Sequence, residues 1–468
     1  MKRFLSTTYF LCLSILAFCQ TNTPLPKESF GSVQPKGGGE FQVERTECLS
    51  PAARATIQRL NDENIERLER QGAFTQLRNS PEIVAFDWPL RQAVDFNTDP
   101  SYYGISNFVD QNTAVGNFED YNCNSRTYDG HKGTDIFTWP FPWKRMDDNS
   151  LEIIAAEAGV IINKIDGFED RHCACVNYDW NAVYIRHADN SISWYGHMKK
   201  NSQTTKAIGQ SVTKGEYLGV VGSSGCSSGP HLHFEVYNSS GKLVDPFSGS
   251  CNKLNTTTWW ASQKPNREST LNRLQLGTTP AVYGDCPTNK DVPNDTYQYA
   301  YGNKLYVTGY FHDQMAGDVT TYTVYRPDNT VFTTWSHTSP ATYNASWWYW
   351  SFTLPSSSPG TWKVVTTYKT QTVQKNFTLS PTVAVSQTAD VEPVFYPIPF
   401  SENLNLNYLT DEKTTVDIID MQGKVLKNII LDANQTTHTL PVSELPKGVY
   451  MAKIKSSRTP KVQKIIKI

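Results

Sequence analysis

The chain has 468 residues, too many for one ordinary domain. Its 43 basic and 45 acidic residues leave a net charge of −2, which excludes a global positive field for nucleic acid. Charged residues make up only 19% and aromatics reach 12%, a balance that suits a secreted, mainly β protein better than a helical cytosolic enzyme.

Residues 1–19 read as a signal peptide, in which Lys2 and Arg3 precede an apolar run from Phe4 to Phe18. No other apolar run approaches the ~20 residues that a membrane-spanning helix needs. Residues 20–85 are an N-terminal segment. To about residue 45 it is polar and Gly/Pro-rich, including Gly37-Gly38-Gly39, and flexibility is expected. Ser50 then can N-cap a helix with Pro51 at the first position. Ile57, Leu60, Asn64/Ile65 and Leu68 recur at helical spacing as far as Arg70, and Gly72 ends the run. This helix either covers a groove as a pro-segment or packs on the unit that follows; packing is the preferred reading. Beyond the leader lie Cys48, Cys123, Cys173, Cys175, Cys226, Cys251 and Cys286. Export favours disulfides. Cys173 and Cys175 are too close to pair with each other, and the odd number leaves one cysteine unpaired or intermolecular.

Residues 86–260 carry the chemistry. The first block is Tyr128-Asp129-Gly130-His131-Lys132-Gly133-Thr134-Asp135-Ile136. Short strands follow at 153–156 and 159–162. The acidic stretch 166–170 is spaced as a plain turn, with too few oxygens for calcium. Residues 181–187 and 191–195 form a hairpin across Asp189-Asn190, with His187 in a structural role. The second block, Tyr195-Gly196-His197-Met198, closes that hairpin. A Gly/Ser-rich approach, 220–229, leads to the third block, Gly229-Pro230-His231-Leu232-His233-Phe234-Glu235-Val236. Cys226 in this approach suggests a disulfide tether. In the third block Leu232, Phe234 and Val236 alternate with polar residues, so it reads as a strand with His231, His233 and Glu235 on one face. A zinc hydrolase needs three protein ligands and one open position. His131, Asp135 and one of His231 and His233 would supply the set, leaving the other histidines for proton transfer.

The three blocks, in this order, resemble the lysostaphin/LytM-type zinc endopeptidases, which cut peptide bonds in bacterial peptidoglycan. The resemblance covers roughly residues 125–250. It implies one Zn²⁺ held by His131, Asp135 and His233, with His197 and His231 unmetallated beside it as general base and as donors to the oxyanion. The choice of His233 over His231 rests on the resemblance, not on spacing. Tyr128, Asn181, Tyr195, Ser223 and Gly225 are the candidate substrate contacts.

Residues 265–285 read as a linker or a poorly patterned extension. Residues 286–380 alternate strand patterns with Pro/Gly/Asp turns, as an Ig-like β-sandwich does. Trp347-Trp348-Tyr349-Trp350 is read as sheet packing in preference to a carbohydrate platform. After a Ser/Thr/Val linker, residues 394–468 resemble the C-terminal sorting domain of the type IX secretion system, with Pro397-Ile398-Pro399 in place of the usual Pro-Asn-Pro.

The expected fold is therefore mainly β: an antiparallel LytM-type catalytic domain, an Ig-like sandwich and a small C-terminal sandwich, preceded by a short helix. The expected protein is a zinc metalloendopeptidase, secreted or on the cell surface after passage through the periplasm and outer membrane. Its partners would be peptidoglycan peptides and the type IX machinery. The rival readings are a cell-wall-binding module or adhesin with a vestigial peptidase domain, and an endopeptidase acting on Gly-rich host proteins.

Overall fold

A computed structural model describes residues 34–41, 48–75, 77, 84–96, 99–284, 288, 290–381, 394–407, 414–431, 437–455 and 461–468. The expected signal peptide lies outside them. Among the described residues no helix is long and apolar enough to cross a membrane.

The elements of the first half are β1 (Gly37–Glu40), α1 (Pro51–Arg70), β2 (Leu90–Gln92), β3 (Tyr103–Asn107), β4 (Thr134–Thr138), α2 (Pro142–Asp147), β5 (Leu151–Ile154), β6 (Gly159–Ile165), β7 (Ala182–Arg186), β8 (Ile192–Gly196), β9 (Ser211–Val212), β10 (Tyr217–Val220), β11 (His231–Tyr237) and β12 (Leu243–Val244). A central antiparallel sheet runs β3-β4-β11-β8-β7-β6-β9, with β12 pairing β11. A second sheet, β10-β5-β2, and the segments around Phe86 and Trp260 cover one face, where Ile105, Ile136, Tyr195, Leu232, Phe234 and Val236 form the core. Phe86 and Trp260 meet in a β-bridge, so the two ends of the unit close on each other.

Helix α1 covers part of the other face. Ser50 Oγ accepts from Ala53 N at 3.1 Å and Pro51 occupies the first turn, as the sequence predicts. Cys48, Leu49, Ile57, Leu68 and Phe74 pack against Val160, Ile162, Tyr184, Trp194 and Tyr237. Burying Ile57 and Leu68 contributes about 1.5–3 kcal/mol each. The stripe turns through Asn61, which is buried and hydrogen-bonded to Asn163, while Leu60 is only half-buried.

The third quarter is a β-sandwich of β13 (Thr270–Gly277), β14 (Gln298–Ala300), β15 (Lys304–His312), β16 (Val319–Tyr325), β17 (Val331–Thr338), β18 (Ala345–Thr353), β19 (Gly360–Tyr368) and β20 (Gln371–Ser380). One sheet runs β1-β18-β15-β13, the other β14-β20-β19-β16-β17, with Leu274, Val307 and Trp350 facing Tyr322, Trp362 and Phe377. Two expectations are corrected here. Thr270–Gly277 lies in the stretch read as linker, yet it pairs along β15, where Leu271, Leu274 and Leu276 join the core. Gly37–Glu40, expected to be flexible, pairs with β18 as an edge strand. Glycines suit that place, because a Cβ on Gly37 would lie 2.4 Å from the Tyr349 ring and one on Gly38 2.1 Å from Trp347 O. In β18 the aromatics alternate: Trp348 and Trp350 enter the core, while Trp347 and Tyr349 stack on the other side at 5.6 Å.

The C-terminal unit comprises β21 (Val394–Tyr396), β22 (Leu404–Asn407), β23 (Thr414–Ile419), β24 (Val425–Leu431), β25 (Thr437–Leu440), β26 (Gly448–Lys455) and β27 (Lys461–Lys467). They form two sheets, β21-β22-β25 and β24-β23-β26-β27, around a core that includes Leu406, Val416, Ile454 and Ile465.

Candidate metal centre and its surroundings

Register builds the site. Across the central sheet Asn107 pairs with Asp135, Asp135 with His233, and His233 with Gly196. These residues share one face because side chains alternate along each strand. His131 stands four residues before Asp135, in the loop that enters β4, and brings Nε2 to 3.1 Å from Asp135 Oδ2. His233 Nδ1 is 2.8 Å from Asp135 Oδ1 and 3.4 Å from His131 Nε2.

The outer nitrogen of each imidazole is tied to an acceptor, and this fixes which nitrogen faces inward. His131 Nδ1 donates to Phe108 O at 2.6 Å, His197 Nδ1 to Ser224 O at 2.6 Å, and His231 Nδ1 to Gly229 O at 2.8 Å. Each of the three therefore turns Nε2 inward as a lone pair. His233 is reversed: its Nε2 donates to Glu235 at 3.0 Å, so Nδ1 faces the site. Asn107 Nδ2 donates to the other carboxylate oxygen of Asp135 at 3.0 Å. Two imidazole lone pairs and a carboxylate thus converge on one buried point, each held by an outer hydrogen bond. This donor set fits a divalent cation of the zinc type. Beside it the His197 and His231 rings pack at a tilt with centroids 4.3 Å apart, and His197 Nε2 is buried with no hydrogen-bond partner among the described residues.

Electrostatics follow from burial. Burial pushes the Asp135 carboxyl up, but its interactions with the His131 ring, and with the His233 and His231 rings, outweigh burial and hold Asp135 well below the usual carboxylate range. Burial, with His231 adjacent, pushes His197 below the ordinary histidine value, so it is neutral near pH 7. Burial also raises the Glu235 carboxyl, yet the Arg54 guanidinium from α1, in direct ion-pair contact, brings it below its usual value.

The substrate contacts read from sequence fall differently. Tyr195 pairs with Phe234, not His233, so its side chain enters the core on the far face, where its hydroxyl accepts from Ala156 N at 2.9 Å. Asn181 is buried and bonds both Phe168 N and Met198 O. Ser223 is buried and donates to His172 O. Asn181 and Ser223 thus brace the loops beside the site. Gly225 has φ +76°, and a Cβ there would lie 2.8 Å from Trp180. Tyr128 does reach the site, with its ring 4.4 Å from that of His131. His187 is structural as expected, bonded to Ala158 O and Ser193 Oγ at 2.8 Å each.

Several residues at the site were not assigned from sequence. Asn107, Arg54 and Trp180, whose ring packs on His197 and His233, come from elements remote in the chain. Gly133 lets the His233 ring approach, since a Cβ there would lie 2.5 Å from Cε1. Cys48, just before α1, places Sγ 3.4 Å from the Tyr128 hydroxyl and 3.9 Å from Asp135 Oδ1. The signal available for Cys48 was the odd cysteine. Cys123–Cys251 and Cys175–Cys226 are disulfides, the second being the expected tether of the Gly/Ser approach, while Cys48 remains a buried thiol.

Residues 130–246 match the model of Peptidase family M23, and residues 394–468 match that of the Secretion system C-terminal sorting domain. Over 99 residues the chain is 37% identical to the DD-carboxypeptidase/endopeptidase Mpg of Neisseria meningitidis serogroup B, covering 20% of this chain and 22% of that protein. Over 58 residues it is 38% identical to the Peptidoglycan DD-endopeptidase ShyC of Vibrio cholerae serotype O1, covering 12% and 13%. The chain thus spans about a fifth or less of the length of these curated relatives. The catalytic domain of the prophage-encoded M23 protein EnpA from Enterococcus faecalis is 27% identical, covers 30% of this chain and 88% of that one, and gives a TM-score of 0.20. Residues 130–246 are a LytM-type peptidase domain of family M23, and residues 394–468 are a type IX secretion sorting domain.

Proposed function

We propose that residues 86–260 are a zinc-dependent endopeptidase that hydrolyses peptide bonds in bacterial peptidoglycan, and that the sorting domain sends it to the cell surface or the medium. The observation that carries this reading is the convergence of His131 Nε2, Asp135 and His233 Nδ1 beside two further imidazoles whose inner nitrogens are left for substrate chemistry. A relative named as a peptidoglycan DD-endopeptidase, beside one named as a DD-carboxypeptidase/endopeptidase, supports the substrate class.

His131, Asp135 and His233 would hold the metal, which when bound polarises the scissile carbonyl and acidifies a water. The rest falls to the chain. His197, neutral near pH 7, and His231 beside it receive the proton of the attacking water. The same pair then donates to the developing oxyanion and hands a proton to the leaving amine. Ser224 O and Gly229 O keep both rings in the tautomer that turns Nε2 inward. Trp180, packed edge-on against His197, excludes water from that side.

The test is digestion of purified peptidoglycan with and without a chelator, with products read by mass spectrometry, alongside His131→Ala. New amino termini that disappear with the chelator and in the variant are expected. Protein that carries no metal and leaves the wall intact would instead favour a non-catalytic wall-binding module.

A further inference from the structure

We infer that Cys48 is a fourth protein donor to the metal of this site, so that the chain as folded holds its own catalytic centre closed. The inference rests on the metal-site reading above and adds to it a residue that lies outside the matched peptidase domain.

Three observations carry it. The first is convergence. Cys48 Sγ, a nitrogen of His131, a carboxylate oxygen of Asp135 and a nitrogen of His233 all lie within 4.8 Å of one another. The same sulfur shares a second such group with His197 and His231. The second is an unsatisfied partner: His197 Nε2 is fully buried, faces this cluster and has no hydrogen-bond partner among the described residues. The third is delivery. Cys48 is not left on a loose end, because Leu49 is buried beside it, Ser50 caps α1, and Arg54 one turn later is ion-paired to Glu235, which holds His233. Upstream, β1 is paired to the sandwich and Phe41 packs on Trp139. Among the described residues, Cys48 thus has an anchored helix directly after it.

The chemistry decides between a ligand and filler. A buried cysteine that only fills space is normally set among apolar groups. This one is set among imidazoles, a carboxylate and a phenol in a chain that forms disulfides elsewhere. Zinc takes thiolate and imidazole readily, and four protein donors make a closed site, whereas a hydrolytic site keeps one position for water. On binding, the Cys48 thiol gives its proton to solvent and the sulfur takes the position water would need. Activity then requires Cys48 to be withdrawn, either by cleavage of the chain upstream of α1 or by undocking of the helix.

The test uses the full chain loaded with Co²⁺ in place of the native metal. The expected result is a sulfur-to-cobalt charge-transfer band in the near ultraviolet that is absent in Cys48→Ser. With it, alkylation of Cys48 by iodoacetamide should be slow until a chelator is added. Cys48→Ser should also digest peptidoglycan about tenfold faster or more, the gain expected when a site closed nine-tenths of the time is opened. Bound cobalt without the sulfur band, with Cys48 alkylated equally fast in the presence and absence of metal, overturns the inference and leaves the metal site standing. Failure of both proteins to take up cobalt sinks the metal-site reading and this inference together. If Cys48→Ser does not fold, the spectrum and alkylation of the unsubstituted chain still decide.

Discussion

Glu235 shows how far this site depends on groups that do not touch the reacting atoms. It fixes the ring of His233 through Nε2, and it is itself held by Arg54 and by the Tyr237 hydroxyl. Removing it frees the ring to rotate and leaves Arg54 without its carboxylate. Glu235→Ala should therefore weaken metal affinity about 10–100-fold, as losses in the outer shell of metal sites do. Glu235→Gln keeps an acceptor for His233 but loses the ion pair, and should fall between. Competition with a chromophoric chelator measures both, and affinity equal to the unsubstituted chain in Glu235→Ala would show that the ring is oriented by something else. At this scale the sequence was informative about chemistry and blind to remote geometry. His131, Asp135, His197, His231 and His233 were legible because each sits in a short block with its own spacing. Glu235 was legible as sharing a face with the histidines, but its hold on Nε2 was not. Asn107 and Cys48 reach the centre only through strand register and helix docking, which no local pattern records. Tyr195 went astray for the opposite reason. It adjoins His197 in sequence, yet Gly196 and not Tyr195 pairs with His233, and alternation sends the phenol to the core.

At the scale of the element, the Gly/Ser approach to β11 is the segment most in need of bracing, because Ser224 O orients His197. Cys175–Cys226 closes a span of 51 residues around it, and the bridges Arg171 to Ser223 and Ala174 to Ser227 run beside the disulfide. Loop-closure entropy for a span of this length is worth about 4 kcal/mol, and measured values for disulfides are typically 2–4 kcal/mol. The double variant Cys175→Ala/Cys226→Ala should lose stability of that order. Because the freed loop carries the carbonyl that holds His197, it should also lose turnover before it loses metal. Parallel measurement of denaturant midpoint, bound metal and digestion rate checks this order of events, and metal lost ahead of turnover would move the importance of the loop to the ligands. Helix α1 is a contrasting element. Its capping, its stripe and its packing role were readable from sequence, but its reach towards the site was not: Ile57 and Leu68 pack on the sheet, Arg54 pairs with Glu235, and Cys48, just before the helix, lies beside Asp135.

For the whole molecule, the peptidase domain and the sandwich are joined by buried polar contacts as well as by packing. Arg126 pairs with Asp313 at 2.6 Å, Trp139 Nε1 donates to Phe311 O at 3.0 Å, and Asn272 Nδ2 donates to Tyr103 O at 3.0 Å. The mainly β character was readable, since strand alternation and turn residues are local signals. The junction was not, because β13 follows a stretch without clear alternation and is specified by its pairing with β15. His312 lies at this junction, at the end of β15, fully buried, with Nδ1 on Asn272 Oδ1 at 2.8 Å and its ring 5.4 Å from Tyr103. Burial pushes it down to about 4. Asp313 and Glu268 pull the other way, and Arg126 and Lys264 add to the downward push. The unfolded value is about 6.5. Between those two values the unfolded chain binds the extra proton and the folded chain does not, so stability falls as pH falls from 6.5 to 4 and levels off below. The loss from this one group reaches about 3 kcal/mol at the acid end. His312→Gln should remove that part of the slope and leave the part due to carboxylates and to the other histidines that burial lowers: His187, His197 and His337, the last held at about 4. Calorimetric melting of the two proteins at pH 7, 5.5 and 4.5 reads the difference directly. Because Asn272 links His312 to the peptidase domain, the transition that shifts should include that domain, and parallel slopes in the two proteins would show that His312 is protonated in the fold without penalty.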